Sequence, residues 1–389
     1  MYKRNLVFFA ACLGMLLFGI GLITLGSIAP GLKSKFNLDE ISSGTLFSIL
    51  PVGILLGSLI FGPVCDRYGY KLLFVFSCIG MFFGFEGIAF ASGLTLLKIC
   101  IFLFGFSGGI INGATNAVVA DISSKAKGAN LSLLGVFFGV GALGMPFVLG
   151  SLKNNFTWDQ VVAAVGFLTI GIGSFYLLIK FPLSKKAEGF QLTKSGSLFK
   201  DTVLILIAFF LFCQSSFEAI INNWTTTYLT KQLLIEESKA LYALSLYLVG
   251  MTVMRLLIGS IFRSVSPVKI LLISFSIILA GILLLQFTAT FLPVATGLIL
   301  VGAGLAGGFP IMLGFVGNMY AERSGTAFSF VLFIALIGNM LVNYLMGVIA
   351  QKFGIQHVTT MAFAELAVMV LLCIFIFTKR VELKSIKKK

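Results

Sequence analysis

Charged side chains are scarce in this sequence of 389 residues. Aspartate, glutamate, lysine and arginine make up 11% of the chain, whereas hydrophobic residues make up 58%. A soluble domain usually has about a quarter of its residues charged. A chain with so many apolar residues cannot bury all of its apolar surface away from water. This composition excludes an ordinary soluble globular protein.

Motifs of metal sites, disulfides and enzymes are also missing. The six cysteines lie in or beside apolar stretches and show no C-x-x-C or histidine-paired spacing, so disulfides and metal sites are not expected. Serine and carboxylate residues do not cluster with the single histidine, His357. We therefore predict that the protein is not an enzyme and holds no metal and no cofactor beyond a coupling ion.

The formal net charge of +14 raises the question of a nucleic acid partner. Such binding requires lysine and arginine clustered on one polar face. Here they lie in short gaps between apolar stretches, so we interpret them as a topology signal and predict no nucleic acid partner.

Long apolar runs dominate the chain. Twelve segments of about 19 or more residues carry at most one charge each, and helices are the form in which such runs satisfy their backbone in lipid. The first run is kept as a span because it is long for a signal peptide. The predicted fold is an all-α integral membrane protein with twelve transmembrane helices in two six-helix bundles. The predicted spans are 6–28, 44–65, 72–91, 99–120, 131–152, 161–179, 202–228, 240–262, 270–287, 292–319, 326–350 and 358–378.

The distribution of cations predicts the orientation. Placing both termini and every even-numbered gap inside collects twenty lysine and arginine residues, against seven in the outer gaps. The positive-inside rule then puts both termini in the cytoplasm. We expect a multi-pass protein of the cytoplasmic (inner) membrane of a bacterium, surrounded by lipid and monomeric.

The longest polar stretch divides the chain. Residues 181–200 contain Pro182 and several charges, which predicts a cytoplasmic linker between an N-terminal bundle, 1–180, and a C-terminal bundle, 201–389. Glycine pairs at Gly108-Gly109 and Gly307-Gly308 precede similar polar loops in the two halves. Internal repetition of this kind is typical of transporters.

A pattern of charges and glycines follows the second span. Residues 62–71 read G-P-V-C-D-R-Y-G-Y-K, which matches G-x-x-x-D-R-x-G-x-K/R and resembles the cytoplasmic loop of the major facilitator superfamily. The resemblance implies a conformational switch, in which Asp66, Arg67 and Lys71 make contacts in one state and release them in the other. The alternative is a solvated basic turn that only sets topology.

The fourth and fifth spans carry a second resemblance. Residues 105–130 together with the glycine-rich fifth span look like the fucose:proton symporter branch of sugar permeases within that superfamily. Asn112 and Asn116 are four residues apart and so share a face. The resemblance implies that they bind substrate and that Asp121 takes part in gating, although the branch often has an acid where this chain has Asn112.

The seventh span has a polar face in its middle. Gln214, Glu218 and Asn222 follow one another at four-residue steps, and Trp224 comes just after them. An acid inside a membrane is a functional candidate by default, and amides with an aromatic face suit sugar recognition. We predict cation coupling at Glu218 and substrate binding by the other three. Alternatively, the amides join helices and Trp224 belongs to an outer aromatic belt.

Three other intramembrane residues are candidates. Asn339 and Asn343 share a face of the eleventh span and either bind substrate or join helices. Arg255, near the predicted cytoplasmic end of the eighth span, is assigned to a gate.

These residues favour a secondary active transporter of a small neutral polar solute, most simply a sugar, that works by alternating access and symport with a proton or sodium ion. The first alternative is a proton-coupled exporter of drugs or other lipophilic compounds. The second is a membrane receptor that does not transport.

Overall fold

The computed structural model describes residues 2–123, 127–182, 201–320 and 324–386. Within these ranges, the side chains at 66, 127–129, 132, 263, 324–326 and 380–386 lie outside the description. The α-helices are α1 Arg4–Ser27, α2 Ala29–Phe36, α3 Glu40–Phe90, α4 Leu94–Ile122, α5 Lys127–Leu152, α6 Trp158–Leu178, α7 Thr202–Lys231, α8 Glu237–Gly259, α9 Pro267–Phe287, α10 Phe291–Leu305, α11 Gly308–Met319, α12 Ser324–Phe353 and α13 His357–Ile386.

The helical fold with twelve transmembrane spans is confirmed. Among the described residues, twelve helical segments are long and apolar enough to cross a membrane. The two exceptions to one helix per span are α3, which supplies the second and third spans, and the pair α10 and α11, which together form the tenth. The eight-residue helix α2 lies between the first two spans and was not predicted.

A sharp bend at Gly69 divides α3. Its backbone has φ 77° and ψ 172°, a conformation that costs little for glycine because it has no Cβ. The predicted switch loop is therefore a bend between two spans, Glu40–Cys65 and Arg67–Phe90.

The described contacts group the chain into two compact units. The first contains Met1–Gly189 with Glu236–Ser245, and the second contains Phe190–Ile235 with Leu246–Lys389. The first turns of α8 thus group with the N-terminal spans. Of the linker predicted at 181–200, residues 183–200 lie outside the described residues, and the predicted domain bounds stay a prediction.

Glycine residues allow the helices of the first unit to approach closely. A Cβ added to Gly53 on α3 would lie 2.5 Å from the carbonyl oxygen of Phe102 on α4. A Cβ on Gly141 of α5 would likewise meet the backbone of Leu16 on α1. These glycines therefore determine how closely α3 packs on α4 and α5 on α1.

The second unit has the same kind of close contacts between its own helices. A Cβ on Gly338 of α12 would lie 2.5 Å from the carbonyl oxygen of Phe212 on α7. A Cβ on Gly302 of α10 would meet the backbone of Tyr247 on α8. Counted within each half, the first span packs on the fifth and the second on the fourth in both units, as an internal repeat requires.

Candidate transport site

The polar face of α7 is centred on Gln214 and Glu218. The helix begins after Asp201, whose carboxylate accepts hydrogen bonds from the N–H groups of Val203 at 2.9 Å and Leu204 at 3.3 Å. Gln214 is 1% exposed, and its Nε2 donates to Oε1 of Glu218 at 3.0 Å. The four-residue spacing predicted from the sequence thus brings the amide and the carboxyl group into direct contact.

Two polar groups of α8, Tyr247 and Arg255, interact electrostatically with Glu218. The side chain of Tyr247 is fully buried, and its hydroxyl has no hydrogen-bond partner among the described residues. The Nε of half-buried Arg255 is also without such a partner. The positive charge of Arg255 acts on Glu218 and on Tyr247, so Arg255 belongs to the electrostatic surroundings of the predicted coupling site.

Glu218 and Arg255 do not form an ion pair. The two ion pairs found in the described part of the chain are Lys33–Glu40 and Lys153–Glu237. Glu218 therefore has the amide donor of Gln214 in direct contact and the positive charge of Arg255 acting on it from α8. The sequence did not indicate that Tyr247 lies near Glu218, because a tyrosine in an apolar span is usually interpreted as a residue that packs in the core.

A chain of amides joins α7 to α12. Asn223 donates from Nδ2 to Oδ1 of Asn343 at 3.1 Å, and Asn343 donates to the carbonyl oxygen of Asn339 at 2.9 Å. Asn339 in turn donates to the carbonyl oxygen of Ser215 at 3.4 Å. Asn343 is fully buried, so in this structure its amide joins helices, the alternative that its sequence position left open.

The two other α7 candidates differ in their surroundings. Asn222 is half-buried and its Oδ1 has no hydrogen-bond partner among the described residues. Trp224 is fully buried, so its indole face is covered by protein in this structure. Asn222 is therefore the better placed of the two to accept a hydrogen bond from a solute.

Asn112 and Asn116 contact each other on α4. The Nδ2 of Asn116 donates to Oδ1 of Asn112 at 3.1 Å and to its carbonyl oxygen at 2.9 Å. Asn116 is exposed and Asn112 is half-buried. The shared face predicted from the sequence is present, with amide groups accessible on it.

The predicted switch residues occupy the region around the Gly69 bend. Lys71 donates from Nζ to the carbonyl oxygen of Leu177 at 2.6 Å, in the last turn of α6, where a cation also complements the helix dipole. The exposed guanidinium of Arg67 lies 5.2 Å from the centre of the Tyr68 ring. The side chain of Asp66 lies outside the described residues.

Asp121 is tied to this region by a residue that the sequence did not single out. The hydroxyl of Tyr70, which is 3% exposed, donates to Oδ2 of Asp121 at 2.7 Å. Tyr70 occupies a variable position of the loop pattern, between its glycine and its final cation, so the pattern itself carried no signal for it.

Two other intramembrane acids, Glu86 and Glu365, are half-buried. Cys213 on α7 and Glu365 on α13 are close enough to interact electrostatically. Glu86 on α3 has an Oε1 without a partner among the described residues. The described residues contain no group of three or more histidine, cysteine, aspartate or glutamate side chains able to hold a metal ion.

Comparisons with known proteins agree with this architecture. The family model described as Major Facilitator Superfamily matches residues 11–263 and 217–389. The chain is 25% identical over 343 residues to the glucose/mannose transporter GlcP of Bacillus subtilis (strain 168), covering 85% of this chain and 84% of GlcP. It is 22% identical over 378 residues to the inner membrane transport protein YdiN of Escherichia coli (strain K12), covering 94% of this chain and 88% of YdiN.

Solved structures share the fold. The nucleoside transporter NupG superposes with a TM-score of 0.77 at 17% identity, covering 97% of this chain and 99% of NupG. A D-xylose–proton symporter superposes with a TM-score of 0.77 at 15% identity, covering 96% and 97% of the two chains. At these identities the likeness concerns the fold alone.

Proposed function

This chain belongs to the major facilitator superfamily, and we propose that it is a secondary active transporter that carries a small neutral polar solute, a sugar, by proton symport with alternating access. Its relatives and structural neighbours are membrane transporters and not enzymes. What we propose beyond membership of this family is the class of solute, the coupling ion and the transport mechanism.

The observation that carries the proposal is the environment of Glu218. A charged group inside a membrane costs several kcal/mol unless it faces water or a partner. Glu218 lies in the middle of α7 against the amide of Gln214, with Arg255 acting on it from α8. Because an acid at this position costs free energy, we infer that Glu218 has a function in transport.

The groups around Glu218 support a proton over a sodium ion. Gln214 presents an N–H donor to the carboxylate, and Arg255 contributes a positive charge. A metal cation prefers several oxygen ligands and is repelled by a neighbouring guanidinium. A proton needs only the carboxylate oxygen itself.

Neutral amides support a hydroxyl-rich solute. Asn222 has a free acceptor, and Asn112 and Asn116 present accessible amide groups. Amides both donate and accept hydrogen bonds, as sugar hydroxyls do. The relative GlcP is by name a glucose/mannose transporter, which favours a monosaccharide over the lipophilic solutes of drug exporters.

We also propose that the protein lies in the cytoplasmic membrane of a bacterium with both termini in the cytoplasm. The excess of cations in the even-numbered gaps supports this orientation. Reporter fusions at the C-terminus test it, because alkaline phosphatase is active outside the cytoplasm and green fluorescent protein is fluorescent inside. Alkaline phosphatase activity at the C-terminus would contradict the orientation.

A thermal-shift screen of the purified protein identifies the solute class, because a ligand of the folded state raises the unfolding temperature. Monosaccharides, disaccharides and lipophilic cations are compared, and stabilisation by a monosaccharide is expected. Stabilisation by a lipophilic cation alone would instead favour the exporter.

Proteoliposomes then test the coupling. With an inward proton gradient, the wild-type protein should accumulate the stabilising monosaccharide, whereas Glu218→Gln should lose uphill accumulation and retain exchange. Glu365→Gln serves as the matched control, since it removes another intramembrane acid. Uphill accumulation by Glu218→Gln at the wild-type level would contradict the assignment of Glu218 as the site of proton coupling.

A further inference from the structure

The tenth span is interrupted close to Glu218, and Gln214 connects the two features. The nitrogen of the Gln214 amide donates at once to Oε1 of Glu218 at 3.0 Å and to the carbonyl oxygen of Leu305 at 2.8 Å. Leu305 is the last residue of α10, and α11 starts at Gly308. We propose that Gln214 is a positioning residue that couples the charge of Glu218 to the break in the tenth span. This inference rests on the proposed function, in which Glu218 takes up the coupling proton.

The carbonyl of Leu305 needs such a donor. The last carbonyl groups of a helix have no partner within it, and a buried acceptor left without one costs free energy. Gln214 is 1% exposed, so its two amide hydrogens are directed to these two protein acceptors and not to solvent. Its role in this structure therefore differs from the substrate contact that the sequence favoured.

Gly308 provides the space that the arrangement needs. A Cβ at this position would fall against Oε1 of Gln214 and lie 3.1 Å from its Cδ. The first residue of α11 can therefore carry no side chain while Gln214 keeps its present position. This contact does not depend on the two hydrogen bonds. It is a second observation that Gln214 packs against the break between α10 and α11.

The charge of Glu218 changes the strength of one of these bonds. A hydrogen bond to an ionised carboxylate is roughly twice as strong as one to a neutral group. When Glu218 takes a proton, its hold on Gln214 weakens, and Gln214 in turn holds the Leu305 carbonyl less firmly. The break then opens more readily in the protonated state.

Few other titratable groups act on Glu218. From α8, Arg255 acts on it, and its own charge acts on Tyr247. From α13, Glu365 interacts with Cys213. Cys213 is adjacent to Gln214 and so points about 100° away from it around the helix. Glu365→Gln is therefore a control for titration of the neighbouring acid.

Hydrogen exchange at the break tests the proposal without any solute. Amide exchange of peptides covering 303–311 is measured in detergent at about pH 5 and about pH 8, on either side of the range in which buried carboxyl groups commonly titrate. Rates are corrected for the intrinsic pH dependence of exchange. The wild-type protein should exchange about fivefold faster at the lower pH, a ratio typical of a modest stability change.

Three variants should lose this pH dependence. Glu218→Gln and Gln214→Leu should exchange at the fast rate at both pH values, as should Gly308→Ala, which displaces Gln214 while leaving both polar residues present. Gly314→Ala is the matched control on α11, because a Cβ there meets nothing within 4 Å. Gly314→Ala and Glu365→Gln should both keep the wild-type response.

Two results would overturn the inference. One is exchange at the break that does not depend on pH in the wild-type protein. The other is a wild-type response in Gln214→Leu and Gly308→Ala. Either result leaves the proteoliposome test of Glu218 unaffected, so failure of this inference and failure of the proposed function are distinguishable.

Discussion

The hydroxyl of Tyr70 lies 2.7 Å from Oδ2 of Asp121 and joins the segment after the Gly69 bend to the end of α4. Tyr70 is almost fully buried while Asp121 is half-buried, so this bond forms at the edge of the first unit. It connects a residue of the loop pattern to a predicted gating residue within the first unit.

Replacing Tyr70 by phenylalanine should slow transport without unfolding the protein. The change removes one hydrogen bond to a charged acceptor, and we expect an initial uptake rate about tenfold lower, since a bond of this kind contributes about 1.5 kcal/mol or more. Uptake into proteoliposomes measures it. Tyr68→Phe is the control, because Tyr68 is 55% exposed; equal rates in both variants would speak against a gating role for Tyr70.

Replacing Asn343 by alanine should destabilise the second unit. The change removes the hydrogen bonds to Asn223 and Asn339 and leaves a buried amide of Asn223 without its partner, which costs about 1–3 kcal/mol. Thermal unfolding in detergent should show a lower midpoint, whereas Asn116→Ala, at an exposed amide, should unfold nearly as the wild type does. Loss of solute binding at unchanged stability would instead assign Asn343 to the substrate.

Replacing Gly53 by alanine should separate α3 from α4. The added Cβ would lie 2.5 Å from the Phe102 oxygen and 2.7 Å from the Phe106 nitrogen, so the helices must move apart, at a cost of about 1–3 kcal/mol. Gly171→Ala is a matched control because a Cβ there meets nothing within 4 Å. Similar unfolding midpoints for the two variants would show that the close approach contributes little.

Reversing the Lys153–Glu237 ion pair should have a small, salt-sensitive effect. Both side chains are about a third exposed, and pairs of this kind contribute about 1 kcal/mol or less. Lys153→Glu and Glu237→Lys should each lower the unfolding midpoint slightly at low salt, and the double exchange should restore it. Additive losses in the double variant would show that the two charges do not interact.

Asp39 should stabilise the first turn of α3 in a pH-dependent way. Hydrogen bonds from the side chain and backbone N–H of Ser42 lower the pKa of Asp39. Its stabilisation is therefore fully present above the ordinary aspartate pKa of about 3.9 and is lost as the pH falls through the lowered value.

Thermal unfolding of Asp39→Ala measures this contribution. The variant should be less stable than the wild type at neutral pH by about 1 kcal/mol, as for other helix N-caps, and the gap should close in acid. Asp39→Asn keeps a capping oxygen but not the charge, so it should lose less stability than Asp39→Ala at neutral pH. A gap between wild type and Asp39→Ala that stays constant with pH would refute the role of the charge.

Much of the architecture could be predicted because its causes are local. A run of about 20 apolar residues is long enough to cross the membrane, whatever its neighbours are, so the twelve spans followed from composition along the chain. The bend at Gly69 was predicted as a loop, and the i, i+4 spacing of Gln214 and Glu218 on one face followed from helix periodicity. The family pattern of residues 62–71 is equally local.

Contacts between distant segments could not be predicted in this way. Gly307-Gly308 and Pro310 in the apolar run 292–319 favour a break, but they do not show which outside donor satisfies the carbonyl of Leu305. That donor, Gln214, comes from α7. Likewise, the sequence offered Asn343 as a helix-joining residue or as a ligand, and only the structure shows that it accepts a buried hydrogen bond from Asn223 on α7.

The sequence by itself thus determined the membrane class, the number of spans and the acid in the seventh span, since each depends on residue type and spacing along one helix. Tertiary structure alone decided which partners that acid has. The Gln214 hydrogen bond and the Arg255 charge reach Glu218, and the charge of Glu218 acts on the buried Tyr247. Hydrogen bonds and charges act through space over a few ångströms, and their partners are set by how helices pack.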